Sequence, residues 1–168
     1  MPDLAQVLAV YQRYVDARNA LLVELSLQSN RDPLAEFSEW LVAAVVNGTL
    51  ASNRNQKGWD VLAPDNQRIQ VKYLANSANS SVNWHEIQIS ELMDIYAIVY
   101  FESLLPKSII FFPTHNLAEI GKALGKRHGN LDTKLQFTRT NHRYILDHPE
   151  TLKALGVRLF LPPTWAES

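Results

Sequence analysis

Three residues, Pro64-Asp65-Asn66, separate a buried-looking stretch that carries Asp60, Gly58-Trp59-Asp60-Val61-Leu62-Ala63, from one that carries Gln70 and Lys72 among apolar side chains, Gln67 to Leu74. Such a spacing predicts a β-hairpin and fixes how its strands pair. Pro64-Asp65 suits the central positions of a type I turn, and Asn66 tolerates the left-handed conformation that follows in a three-residue hairpin loop. Pairing then sets Ala63 opposite Gln67, and Asp60 opposite Gln70. Directly opposed residues project from one face, and period two adds Lys72 to it, with Ile69 and Val71 behind. A two-residue loop would turn Asp60 to the other face. The hairpin therefore either gathers an acid, an amide and an ammonium in one small volume or gathers nothing.

The rest of the chain has the composition of a globular domain. It is 168 residues long, 46% hydrophobic and 20% charged, which suits one domain with a sizeable core. Cysteine is absent, which excludes disulfides and thiolate metal sites and suits a cytoplasmic location. No basic-then-apolar leader and no apolar run of membrane-spanning length is read, so no membrane partner is expected. The formal net charge of -1 gives no global attraction to a polyanion. Charge is uneven, however. Lys122, Lys126, Arg127, Lys134, Arg139 and Arg143 face a single Asp132 within that segment, whereas residues before Trp40 lean acidic. Lys126, Arg127, Arg139 and Arg143 are candidate contacts for DNA phosphates, with a solvated surface as the plain alternative.

In order, the spacing predicts a helix from about Asp3 to Leu27 and a second from Asp32-Pro33, an N-cap followed by a proline at the first helical position. Asn47-Gly48 ends it. Glu36 falls in its first turn, where the helix dipole favours an acid. Glu39 falls among Val42, Ala43 and Val46 on an apolar face, where a carboxylate needs a partner. After the hairpin, an Asn/Ser-rich loop runs from Asn76 to Asn83. An ambiguous stretch from His85 to Met93 follows, with a short helix from Ser90 as one option. Ile95 to Phe101 reads as a strand buried on both faces, and Leu105-Pro106 as the turn to a strand at Ile109 to Phe112. Asn116 and Glu119 form a capping pair for a helix to about Arg127, ended by His128-Gly129-Asn130. Leu135 to Arg139 is a possible strand, Pro149 opens a short helix that Gly156 closes, and Val157 to Leu161 is the last strand. His115, His128 and His142 lack metal-ligand spacing.

A glutamate on a helix, then a strand with Asp, a turn and a strand with Gln-x-Lys, resembles the PD-(D/E)XK nuclease superfamily. The resemblance covers Glu39 to Lys72 and rests on Gly58-Trp59-Asp60-Val61 and Gln70-Val71-Lys72. It implies an α/β (α+β) fold, a central mixed four- to five-stranded sheet flanked by helices in a restriction endonuclease-like core. It also implies a metal-dependent phosphodiesterase acting on DNA. Asp60 takes the place of the metal-binding aspartate, Gln70 that of the second acid, Lys72 that of the catalytic lysine and Glu39 that of the helical acid. Trp59 stands where proline is frequent. Gln70 offers a neutral oxygen in place of a carboxylate, as in the QxK subgroup.

The chemistry is consistent with those residues. Mg²⁺, with Mn²⁺ as a substitute, takes hard oxygen ligands and keeps several waters. It can acidify a water and offset phosphate charge. Asp60, the Gln70 side-chain oxygen or the Val71 carbonyl would be its ligands, and Glu39 would act through water. Lys72 would position the nucleophile or contact the phosphate. The plain alternative is an Asp60–Lys72 cross-strand ion pair worth less than about 1 kcal/mol. The expectation is one domain over residues 1–168, with residues 1–30 a helical extension suited to homodimerisation on double-stranded DNA. A junction-resolving or repair nuclease, and an inactive DNA- or protein-binding module, are the other readings.

Overall fold

The helical spacing at the N-terminus corresponds to α1, Leu4–Glu24, and the Asp32-Pro33 signal to α2, Pro33–Val46. The computed structural model describes residues 4–24, 32–52, 58–76, 84–88, 92–126 and 134–162. The chain divides into two units, Met1–Phe37 and Ser38–Ser168. Asp32 caps α2 as its sequence requires, its Oδ1 accepting from the Leu34 N–H at 2.9 Å. At the other end Gly48 N–H donates to the Ala43 carbonyl (2.9 Å) and Asn47 N–H to that of Ala44 (3.4 Å), with Asn47 left-handed at φ 52°. This is the Schellman closure. A side chain at position 48 would come within 2.7 Å of the Leu62 carbonyl, so glycine lets the hairpin approach the helix end.

Eight strands follow: β1 (Thr49–Leu50), β2 (Val61–Leu62), β3 (Arg68–Asn76), β4 (Trp84–Gln88), β5 (Ile95–Glu102), β6 (Leu105–Pro113), β7 (Lys134–Thr138) and β8 (Arg158–Phe160). Among the described residues six form one sheet in the order β1-β2-β3-β5-β6-β8, and β4 pairs with β7 separately. The sheet is mixed: β3 and β5 run parallel, the other neighbours antiparallel. The fold is thus mixed α/β, with one strand more in its sheet than expected. One face of the sheet, including Tyr96, Ile98, Tyr100, Ile110 and Phe112, packs into a core with Ile87, Leu135 and Phe137 of the small sheet. That core also takes Ile120 of α3 (Leu117–Ala123), Ile145 of α4 (Arg139–Asp147) and Leu152 of α5 (Pro149–Lys153). β5 is buried on both faces up to Phe101, as its unbroken apolar run implies. No helix among the described residues is long and apolar enough to cross a membrane.

Several local expectations are corrected. The β5–β6 turn is Ser103-Leu104, both with positive φ (50° and 65°), rather than Leu105-Pro106. Pro106 lies in β6 beside a register shift at Tyr100/Phe101, where an N–H is dispensable. α3 stops at Ala123, and Gly125 (φ 74°) closes it, Lys126 N–H donating to the Gly121 carbonyl at 2.9 Å. Asn116 does not cap α3 with its side chain; its Nδ2 donates instead to the Leu155 carbonyl at 3.1 Å. The option of a helix from Ser90 falls partly outside the described residues, and Leu92 to Asp94 is not helical. α4, not foreseen, begins with a capping box between Thr138 and Asn141.

Candidate active site

The hairpin turn has the expected form. Asn66 is left-handed at φ 65°, and its N–H donates to the Ala63 carbonyl at 2.9 Å. Ala63 N–H donates to the Gln67 carbonyl at 3.0 Å, and Val61 pairs with Ile69. The loop therefore holds three residues; the ladder ends at Val61–Ile69, and Asp60, next to β2 rather than in it as expected, turns its N–H to the Ile69 carbonyl and lies beside Gln70. Their side chains meet: Gln70 Nε2 donates to Asp60 Oδ2 and lies 3.5 Å from the Val71 carbonyl oxygen. Asp60 Oδ2 also accepts the Val71 N–H at 2.7 Å. Both side chains are half-buried.

Lys72 lies two residues further along β3, on the Gln70 face, and is exposed. Among the described residues no carboxylate lies within ion-pair distance of its ammonium. The Asp60–Lys72 ion pair is not formed. Glu39 is buried at 6% exposure and is not without a partner, as its place on an apolar helix face requires. Glu36 occupies the first turn of α2 and is fully buried.

A residue missed in the sequence joins this group. The parallel register sets Tyr96 of β5 beside Gln70 of β3, and Tyr96 is 3% exposed. Burial, then the negative charge of Asp60, pushes its phenol above the ordinary value, so the hydroxyl stays protonated. Sequence could not find it, because the register of a parallel pair depends on a crossover rather than on a tight turn. Asp94 fixes that register. It accepts the Arg68 N–H at 2.9 Å and both arms of the Arg68 guanidinium at 3.0 Å, and its own N–H donates to the Arg68 carbonyl. Hydrogen bonds from Arg68 hold the Asp94 carboxyl below the usual range.

The donor set suits a hard, hydrated divalent cation. Asp60 brings one carboxylate and Val71 a backbone carbonyl, both in reach of Gln70 Nε2, and turning the Gln70 amide about would present its oxygen in place of that nitrogen. Among the described residues no three His, Cys, Asp or Glu side chains cluster for a metal. A cation held here would take neutral oxygens from Gln70 and Val71, with water, beside the one carboxylate.

Three of the basic residues in segment 122–143 are paired with acids. Lys122 pairs with Glu119 (2.7 Å), Lys134 with Glu86 (3.5 Å) and Arg139 with Glu102 (3.5 Å). Lys126 is half-buried, and burial lowers its pKa. Arg143 is exposed on α4, and Arg127 lies outside the described residues. His115 is exposed, and His142 is buried against Ser108. Compared with models of known families and with curated proteins, the chain matches none.

Proposed function

We propose that the chain is a Mg²⁺-dependent DNA endonuclease with a restriction endonuclease-like core, a QxK variant of the PD-(D/E)XK superfamily, cysteine-free and suited to the cytoplasm. One observation carries this reading: a three-residue turn brings Asp60 against Gln70 on the face that also bears an exposed, unmatched Lys72. A structural hairpin has no need of that set, and Lys72 would be expected to close on Asp60 if charge pairing were its role.

In this reading Asp60, Gln70 and the Val71 carbonyl hold the cation, with Glu39 as the helical acid. When bound, the ion supplies an acidified water and neutralises charge on the scissile phosphate. The protein's own groups do the rest. Asp60 is oriented by the Val71 N–H, which fixes its Oδ2. Lys72 holds a compact positive charge where the phosphate or the attacking water would sit, stabilising the charge that builds in the transition state. Lys126, Arg139 and Arg143, with Arg127, would contact flanking phosphates and position double-stranded DNA. α1 exposes Leu8, Tyr11, Tyr14 and Val23, which supports a homodimer presenting two sites to opposite strands.

A second reading, a DNA-binding module without catalysis, draws on the lone carboxylate among the three converging groups. Purified protein with supercoiled plasmid and Mg²⁺ or Mn²⁺ separates the two. Nicking or linearisation lost in Asp60→Asn and Lys72→Ala supports the nuclease. Cleavage surviving both changes overturns the site. DNA retained at low salt without cleavage favours the module.

A further inference from the structure

Position 96 poses a question that the nuclease reading does not answer. Tyr96 and Phe112 sit side by side on one sheet face, in register on β5 and β6, and both belong to the same apolar core. Phe112 fills its place with a ring alone. At position 96 the ring carries a hydroxyl, which is costly to bury unless it is hydrogen-bonded. On its other side Tyr96 is in register with Gln70, whose carboxamide reaches Asp60. Adjacent strands lie roughly 5 Å apart, within the reach of a tyrosine side chain. At this level of the neighbouring strand the polar group is the Asp60–Gln70 pair. Arg68 and Asp94 secure the placement, because their interlocked hydrogen bonds fix β5 beside β3 immediately before this point.

Resting on that reading of the site, we propose that Tyr96 is a positioning residue, its hydroxyl donating to the Asp60–Gln70 oxygen system and setting the orientation in which those oxygens meet a divalent cation. Asp60 then has two fixed donors from β3, the Val71 N–H and Gln70, and a third from β5. A carboxylate held from two strands is pre-organised, and its ligand oxygen has less freedom to lose on metal binding. The hydroxyl touches neither DNA nor the reacting water. Its removal acts on metal affinity and on turnover, and leaves DNA affinity unchanged.

Tyr96→Phe tests this, since it keeps the ring and its packing. Mn²⁺ binding followed by electron paramagnetic resonance and Mg²⁺ titration of plasmid cleavage are the two readouts. DNA affinity is measured in Ca²⁺ as a control. The expected result is weakening of Mn²⁺ binding by about tenfold, with a matching rise in the Mg²⁺ needed for half-maximal cleavage. A near-ultraviolet tyrosine difference spectrum on adding Mn²⁺ should be present in the wild type and lost in Tyr96→Phe. Unchanged Mn²⁺ binding and Mg²⁺ dependence in a folded Tyr96→Phe protein overturn the proposal. If the wild type binds Mn²⁺ but cleaves no DNA, weakened binding in Tyr96→Phe still supports the role of Tyr96 while the nuclease reading falls. A wild type that binds no Mn²⁺ overturns both.

Discussion

The Val71 N–H donates to the Asp60 carboxylate at 2.7 Å. Extending the register of Ala63–Gln67 and Val61–Ile69 by two residues would bring Trp59, through its carbonyl, to that N–H. Asp60 N–H turns instead to the Ile69 carbonyl at 2.8 Å, and the Asp60 side chain completes the ladder. The carboxylate at the centre of the proposed site is therefore also a structural acceptor. Two substitutions separate these duties. Asp60→Asn keeps an oxygen for Val71, and should cost less than about 1 kcal/mol of stability while cleavage falls by more than the ~10–100-fold typical of outer-shell losses. Asp60→Ala should cost about 1–3 kcal/mol as well, read by urea denaturation, because a backbone N–H loses its acceptor. Equal stability of the two variants would contradict the ladder role.

Gln70→Glu should shift stability in opposite directions with and without metal. In EDTA two carboxylates would meet where a donor and an acceptor now do, lowering stability by about 1 kcal/mol at neutral pH in a half-exposed site. With Mn²⁺ the second carboxylate becomes a better ligand, and the melting temperature should rise further than it does in the wild type. Equal metal-induced shifts in the two proteins would show that position 70 does not reach the ion.

Gly58, two residues before Asp60, adopts φ 110°, and a Cβ there would overlap that of Leu92. Gly58→Ala should cost about 1–3 kcal/mol through backbone strain and reduce cleavage by displacing Asp60. Adding Leu92→Gly, which removes the Cβ, should relieve the overlap but not the strain. A double-mutant cycle should then give a coupling of roughly 0.5 kcal/mol or more; strict additivity would remove Leu92 from the account.

His142 supplies a pH dependence. It is stacked on Tyr100 with ring centroids 3.8 Å apart and hydrogen-bonded to Ser108 Oγ at 2.8 Å. Burial lowers its pKa to about 4, with nearby Glu102 opposing the shift and Arg139 adding to it. The unfolded chain takes up this proton near pH 6.5 and the folded chain only near 4, so the unfolded state holds more protons in between. Stability from this group is complete above about pH 6.5 and falls, by on the order of 2–3 kcal/mol, as pH drops to 4. His142→Gln, which can still bond Ser108, should flatten that part of a urea-midpoint profile. Parallel profiles for the two proteins would assign the slope to other groups.

The legible parts of this fold are those written in adjacent residues. Asp32-Pro33 and Asn47-Gly48 bound α2, and Pro64-Asp65-Asn66 fixed a register good to one residue, which is what placed Asp60 against Gln70. Ser103-Leu104 was missed because it holds two positive-φ residues without the Asn-Gly or Asp-Gly that normally marks such a turn. α4 was missed because its capping box closes on Asn141 rather than on the usual Glu or Gln. Tyr96 and the pairing of basic residues with Glu86, Glu102 and Glu119 belong to another class. They arise between segments distant in sequence, or from side-chain choices that no local pattern dictates.

The Arg68–Asp94 interlock has a consequence for how such a chain can change over time. Residues 77–94 connect β3 to β5, yet the alignment of the two strands is secured at the last of them, by bonds to the first residue of β3. The crossover is thereby relieved of any duty as a ruler. Outside β4, segments could be inserted into or removed from it at the small, logarithmic cost of closing a longer loop, with Gln70 and Tyr96 still side by side. A lineage carrying this hairpin could vary the crossover on either side of β4, whose pairing with β7 and buried Ile87 must stay, without having to rebuild the chemistry beneath it.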